Sequence, residues 1–260
     1  MQKSTEKKIK IAVFDIDGTI FRSSLLIELF NSLVRTGIFP KKASAEVERE
    51  YLAWLDRKGH YNKYLGKLIK VHYKYQKGCT VQSVKKVMQK VIQWQKDRVY
   101  RYTRNLIKNL RKNGYFLLAI SNSQDYMVEY FGKTLGFNVA IGRTLEVENG
   151  KYTGRMKYKD KRIQPGDYLD KAEIFKDFIE QSNMNIDLKK SVAVGDSESD
   201  IPLLDCVGNP IAFNPSSPLA RHAQKHGWMI VVERKDIMYH IKNCRLLGEE
   251  DNIDFSRLVC

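Results

Sequence analysis

The stretch "FDIDGTIFRSS", residues 14–24, places two carboxylates two residues apart, between an apolar run and a Gly-Thr step. Upstream, Ile9, Ile11, Ala12, Val13 and Phe14 are rich in strand formers, and Gly18 is a breaker. The pair therefore sits where a buried strand runs out into a loop. Residues i and i+2 on a strand share a face, so Asp15 and Asp17 are forced together. Carboxylates held that close repel, and the cost falls only when a cation or a shared proton lies between them. An acidic turn at a strand end is the plain alternative, and the rest of the chain decides between the two.

Downstream, apolar residues recur at spacings of three and four from Ser24 to about Asp97, beginning Leu25, Leu26, Leu29, Phe30, Leu33. The pattern predicts four helical pieces, broken near Gly37–Pro40, Gly59 and Gly78, that form a small bundle. Its aromatic residues (Tyr51, Trp54, Tyr61, Tyr64, Tyr73, Tyr75, Trp94) read as packing. Beyond it the period changes. Leu106 to Leu110 is helical, and "YFLLAISNS" (115–123) is a buried strand ending in small polar residues. "LEVENGKYTG" (145–154) alternates around Asn149-Gly150, a type I′ hairpin signal. A helix over 171–180 precedes "SVAVGDSESD" (191–200), a strand ending in acids, and "PIAFN" and "WMIVV" supply two more. Buried strands separated by helices predict an α/β fold with a parallel sheet, which binds ligands at the carboxyl ends of its strands.

The 260 residues are 43% hydrophobic and 29% charged, values that suit a globular chain with a substantial core. No apolar run approaches the roughly 20 residues of a membrane span. "MQKSTEKKIK" is polar and leads into a strand, not into the apolar core of a signal peptide. Cys79, Cys206, Cys244 and Cys260 show no CxxC spacing, which argues against zinc and gives no disulfide framework. Reduced thiols in a cytoplasmic protein are expected. The net charge is +15, and residues 22–98 hold 17 Lys/Arg against 6 Asp/Glu, a surplus of 11. Such a stretch attracts nucleic acid, anionic lipid or a phosphorylated substrate, unless it is only a solvated helical surface.

In a parallel sheet three strand ends meet on one edge: Asp15 with Asp17, Ser121, and Asp196 with Asp200. Lys171 starts a helix just before the last of these. Four carboxylates gathered there require a divalent cation, and hard oxygen ligands suit magnesium. Ser121 and Lys171 are left to hold phosphate oxygens. Other features are plainer. His222 and His226 lack a third ligand, Asn214 and Pro215 shape the rim, and "KDKR" (159–162) is a solvated loop.

The set resembles the haloacid-dehalogenase-like superfamily of phosphohydrolases. The matching pieces are "DIDGT" (15–19), "LLAISN" (117–122), the lysine of "LDKAEIF" (169–175) and "VGDSESD" (194–200), in that order. The helical insert, the hairpin and "GNPIAFNP" (208–215) are similar to the phosphoserine-phosphatase-like branch with a C1-type cap. The resemblance implies a Rossmann-like core at 1–22 and 99–248, a helical cap at 23–98 inserted after the first strand, and a tail at 249–260. It implies Asp15 as nucleophile and Asp17 as general acid, then base. Magnesium would be held by Asp15, the Asp17 backbone carbonyl and Asp196, with Asp200 orienting Lys171 or a bound water. Ser121, Asn122 and Lys171 would bind the phosphoryl group.

One departure bears on the substrate. Where phosphoserine phosphatases carry a glutamate that reads the substrate amine, this chain has Arg22, Ser23 and Ser24. Arg22 would repel an ammonium, so a more anionic or uncharged leaving group is expected, with Arg22 as its nearest cation and the insert as a lid. The reading is a magnesium-dependent phosphomonoesterase acting on a small phosphorylated metabolite. The alternatives are a phosphotransferase using the same intermediate, or a module that binds anions or nucleic acid through the basic cap.

Overall fold

A computed structural model describes residues 8–157, 163–164 and 168–242. The "KDKR" stretch at 159–162, the residues after Gly248, and Cys244 and Cys260 lie outside those residues. The chain opens with β1 (Ile11–Phe14) and then makes four helices, α1 (Leu25–Arg35), α2 (Lys42–Leu55), α3 (Tyr61–Gln76) and α4 (Val81–Gln95). It continues through α5 (Arg101–Lys112), β2 (Phe116–Gln124), α6 (Asp125–Leu135) and β3 (Val139–Arg143). Two hairpins follow, β4 (Leu145–Glu148) with β5 (Lys151–Met156), and β6 (Ile163–Gln164) with β7 (Tyr168–Leu169). The last third runs α7 (Lys171–Ser182), β8 (Val192–Gly195), α8 (Ile201–Leu204), β9 (Asn209–Phe213), α9 (Ser217–Lys225), β10 (Met229–Arg234) and β11 (Ile237–Ile241).

The main sheet has the order β11-β10-β9-β8-β1-β2-β3, and only the β10–β11 pair is antiparallel. From β1 the chain winds outward through β2 and β3. From β8 it winds the other way, so the order reverses between β1 and β8. A crevice opens at such a reversal, at the carboxyl ends of the strands. Alternate residues feed two core layers: Ala12 and Phe14 on one face, Ile11 and Val13 on the other.

The helices after β1 form where the spacing predicts, and the breaks fall at 36–41, 56–60 and 77–80. Gly37 and Gly78 adopt φ of 75° and 82°, which ends α1 and α3. Leu29, Phe30, Val84 and Val91 belong to the same apolar cluster as Phe14 and Leu117, so this bundle shares one face of the sheet's core. The β4–β5 hairpin clips its far end: Gly78 N donates to Tyr152 O (2.8 Å) and Val81 N to Gly150 O (2.9 Å). Asn149 and Gly150 both have positive φ, as a type I′ turn requires. No described helix is long and apolar enough to cross a membrane.

Candidate active site

Beyond β1, Asp15 N donates to Val194 O at 2.9 Å, so the ladder to β8 runs one residue past the strand and fixes Asp15 at the sheet edge. Ile16 plunges into the core with no exposure. Asp17 then turns toward β2 and α1. Its Oδ1 accepts from Leu25 N (2.5 Å), and its Oδ2 accepts from the hydroxyls of Ser121 (2.5 Å) and Ser123 (2.8 Å). The Asp17 carboxylate thus does the capping at the N-terminus of α1 that Ser24, at the N-cap position, does not.

The expected crowd of four acids is therefore three plus one. Oxygens of Asp15, Asp196 and Asp200 lie within 4.8 Å of one another, while the Asp17 carboxylate is held aside by its three donors. A β-bulge explains how β2 supplies two of them. Ile120 pairs with Ile141, yet the next pair is Gln124 with Arg143, so the strand bends between them and aims Ser121 and Ser123 at one oxygen. Ser121 is fully buried and engaged with Asp17, not open to a phosphate, whereas Ser123 lines the cleft. Ser123 was not singled out in the sequence; its nearness to Ser121 on a polar strand end was the only signal.

Lys171, the first residue of α7, is brought to the cluster by the Asp170 N-cap, which accepts from Glu173 N. Its ammonium is 3% exposed and bonds Asp15 Oδ1 and Asp200 Oδ1, the latter at 2.5 Å. Burial works to strip its charge, but the two carboxylates outweigh burial and hold it charged far above the ordinary lysine range. Burial also pushes the Asp15 carboxyl up, against the pull of Lys171 and with help from Asp200 and Asp17. Asp196 is raised by burial and by Asp15 and Asp200. A bare ion pair would raise the lysine and lower the acid. Here both rise: burial lifts the acid first, and one ammonium facing three carboxylates leaves an excess of negative charge that a divalent cation relieves.

The donors divide accordingly. Asp200 is spent: its Oδ2 accepts from Asp196 N (3.1 Å), Ser197 N (3.0 Å) and the Ser197 hydroxyl (3.0 Å), so it holds Lys171 and this turn rather than an ion. Among the described residues, Asp15 keeps one oxygen with no bond, and the Asp196 carboxylate is bonded only through Oδ1, by the Thr19 hydroxyl at 3.1 Å. These two carboxylates suit magnesium, which takes one or two protein carboxylates and keeps its remaining positions for water and phosphate. Gly18 makes the approach feasible. Its φ is +86°, and a Cβ there would collide with the Asp196 carboxylate.

The crevice is a cleft of about 960 Å³ lined by Asp15, Asp17, Lys171 and Asp196, together with Ser24, Asn122 and the α2–α3 turn. Asn122 Oδ1 accepts from Arg143 (3.0 Å) and Leu169 N (2.7 Å), which leaves its amide NH₂ for the cleft. Arg22 is a correction. Phe21 is drawn wholly into the core, so the next side chain faces out, and Arg22 lies over the Tyr100 ring at 5.6 Å, outside the lining. Ser23 likewise turns away, to Glu28. Trp54 and Tyr61 pack with Tyr64, as expected of the aromatic residues, but they also line the cleft. Enclosure, then the carboxylates of Asp17 and Asp196, hold the Tyr61 phenol well above the usual tyrosine range. Trp94 is the exception to packing, 67% exposed. His222 and His226 stack on each other at 4.2 Å, outside the cleft.

This is the sheet edge of a phosphoryl-transfer fold, with an acid–lysine pair at the reversal point and a second acid held apart. The chain belongs to the haloacid dehalogenase-like hydrolase family, whose model matches residues 12–205. It is 26% identical over 228 residues to the inhibition of morphological differentiation protein of Streptomyces azureus, covering 85% of this chain and 77% of that one. It is 24% identical over 238 residues to the phosphoserine phosphatase of Methanocaldococcus jannaschii, covering 91% and 98%. Among solved structures, one titled as a phospho-aspartyl intermediate analogue of phosphoserine phosphatase shares the fold. It superposes with a TM-score of 0.58 at 24% identity, covering 88% of this chain and 96% of that one. Family and relatives together make the chain a phosphatase.

Proposed function

We propose that this phosphatase is a magnesium-dependent phosphomonoesterase that works through an aspartyl-phosphate on Asp15. The observation that carries the reading is the division of labour between the two acids of "DIDGT". Asp15 is bonded by Lys171 on one oxygen and faces the cleft with the other, while Asp17 is bonded by Leu25 N, Ser121 and Ser123. In the first step the open oxygen of Asp15 attacks phosphorus. The ester P–O bond breaks, its electron pair leaves with the alkoxide oxygen, and Asp17 supplies the proton. In the second, a water attacks phosphorus as Asp17 takes its proton. The Asp15–phosphorus bond breaks, and inorganic phosphate leaves.

Lys171 keeps Asp15 oriented and offsets charge on the phosphoryl oxygens, and the Asn122 amide is the neutral donor beside it. Asp15, Asp196 and the Asp17 backbone carbonyl would hold magnesium, which when bound draws charge from the transferring phosphoryl group. Asp200 and Ser121 act through Lys171 and Asp17. The substrate is a small phosphorylated molecule. The described thiols, Cys79 and Cys206, are unpaired, which supports a reducing, cytoplasmic setting.

The test is an acid-quenched single turnover with a radiolabelled ester. Label should be trapped on the wild-type protein and map to Asp15. Asp15→Asn should trap none and lose roughly 10⁴-fold or more in kcat. Undiminished turnover in that variant, or label on another residue, would remove the mechanism.

A further inference from the structure

The catalytic acids leave other cations in the cleft unexplained. Lys171 is already committed to Asp15 and Asp200. Arg57 and Lys58 enter from the α2–α3 turn and Arg221 from α9, and all three line the same cleft. None of them is ion-paired with a described residue, and all are exposed at its mouth. Glu198, another carboxylate of the lining, accepts from Asn62 (2.5 Å) and Ser216 (2.9 Å), so it offers little to a substrate ammonium.

Backbone strain adds an independent observation. Arg57 ends α2 at φ 59°, in the left-handed region where glycine is usual, with Arg57 N bonded to Trp54 O and Lys58 N to Ala53 O. Glycine would relieve that conformation and would forfeit the charge. Strain kept at a cleft-lining position is a pointer to function. Beside the cations the wall is apolar and aromatic, built from Leu26, Trp54, Tyr61, Leu65 and Ile69. The volume of about 960 Å³ lies at the upper end of the roughly 300–1,000 Å³ of ligand pockets.

We infer that this phosphatase selects phosphomonoesters whose leaving group carries an apolar or ring body and a second anionic group, read by Arg57, Lys58 and Arg221. The inference rests on the phosphatase reading of the Asp15 end of the cleft. A zwitterionic ester such as phosphoserine fits poorly: it is small, and its ammonium meets cations. The second anion, carboxylate or phosphate, lies between the α2–α3 turn and α9 and draws the two sides of the mouth together.

A matched series separates charge from shape: phenyl phosphate, 4-carboxyphenyl phosphate and 4-(aminomethyl)phenyl phosphate, assayed with magnesium. The carboxylated ester should exceed phenyl phosphate in kcat/KM by about tenfold at low salt, each exposed cation giving a few-fold, and the amine should fall below both. Raising the salt to half molar should shrink the preference. In Arg57→Gln/Lys58→Gln/Arg221→Gln the carboxylate-to-phenyl ratio should fall about tenfold from the wild-type ratio; dividing one ratio by the other cancels the leaving groups' own reactivity. Equal turnover of the charged and neutral esters, or a ratio untouched by the triple substitution, overturns the proposal.

The same ratio is expected in dissociation constants measured by calorimetry on Asp15→Asn. If the wild type hydrolyses none of the esters, the hydrolytic reading fails, and the calorimetric ratio still upholds or overturns this one. Arg57→Gly should raise Tm while lowering the ratio. A lower Tm with the ratio intact would make Arg57 a structural residue and overturn its part.

Discussion

The sheet edge and the tip of the helical insert both hold charge, and they hold it in opposite ways. At the edge Lys171, Asp15 and Asp200 answer one another inside a nearly sealed cluster. At the tip Arg57 and Lys58 find no acid among the described residues. Packing follows the same division. Helix α1 buries six of its residues, among them Leu25, Leu29 and Phe30, whereas α2 buries only Ala43 and Val47 and leaves Leu52 and Leu55 about half exposed. Groups that perform chemistry must be placed before the substrate arrives, because reorganising them during the reaction adds to the barrier. Groups that recognise a substrate gain by waiting unpaired.

Removing the metal should break the comparison at its strongest point. Excess chelator should abolish turnover. Magnesium restored to about 100 times its dissociation constant should raise stability by about 2.7 kcal/mol, read as a higher Tm. Calcium should bind and support little turnover, since its larger, looser shell misplaces the attacking carboxylate. Full activity in chelator would mean that Lys171 alone offsets the three acids.

Lys171→Met probes the same cluster from the protein side. It leaves Asp15 and Asp200 buried with no ammonium between them, which costs about 3–5 kcal/mol. Denaturant titration should show that loss, and magnesium should restore part of it. A Lys171→Met protein as stable as wild type would show that the sealed cluster is not held by charge.

Much of this division was legible in the sequence, and the losses have identifiable causes. Periodicity found the four helices because their breaks carry Gly37, Gly59 and Gly78, and Asn149-Gly150 announced its hairpin. Strand β11 went unread because its turn passes through Lys235, at φ 56°, with no glycine or asparagine to mark it. In the site, residue types named Asp15, Lys171, Asp196 and Asp200 correctly as neighbours. Direction was beyond them. That Asp17 turns from the cluster depends on a bulge in β2, and that Arg22 faces Tyr100 depends on Phe21 entering the core. The Thr19 hydroxyl on Asp196 and the approach of Arg57 and Lys58 are products of tertiary packing between segments far apart in sequence.

A buried polar joint ties α3 to the end of β2. His72 of α3 is fully buried against Phe30 and Phe39, meets Gln124 at the end of β2 at 3.0 Å, and has Nδ1 without a hydrogen-bond partner among the described residues. Burial, with the charge of Arg143 adding to it, lowers its pKa to about 3 from 6.5. The unfolded chain therefore takes a proton below pH 6.5 while the folded one stays neutral, and stability falls as pH drops toward 3. Between pH 7 and 5 this one group should cost about 2 kcal/mol. His72→Phe should lose that much less over the interval in denaturant titrations at both pH values. Equal slopes would mean that His72 is solvated or paired in the folded protein.

The smallest expected effect tests the contact that joins the two regions. Asn62 follows the α2–α3 turn, and its amide donates to Glu198 Oε1 at 2.5 Å, while Ser216 holds the other oxygen at 2.9 Å. The bond crosses from insert to core between two residues of the cleft lining, so it holds the turn bearing Arg57 and Lys58 against the core. It is exposed, and a hydrogen bond to a charged group in that setting contributes on the order of 1 kcal/mol. Asn62→Ala should therefore raise KM for 4-carboxyphenyl phosphate about fivefold, leave Tm within about 2 °C of wild type, and speed hydrogen exchange at residues 57–62. The sheet edge should keep its protection, because β1 and β8 are tied by the backbone ladder and the Lys171 cluster rather than by this contact. Faster exchange spreading into β1 would show that edge and tip are one cooperative unit, and unchanged exchange at the turn would show that the turn is held shut by its packing alone.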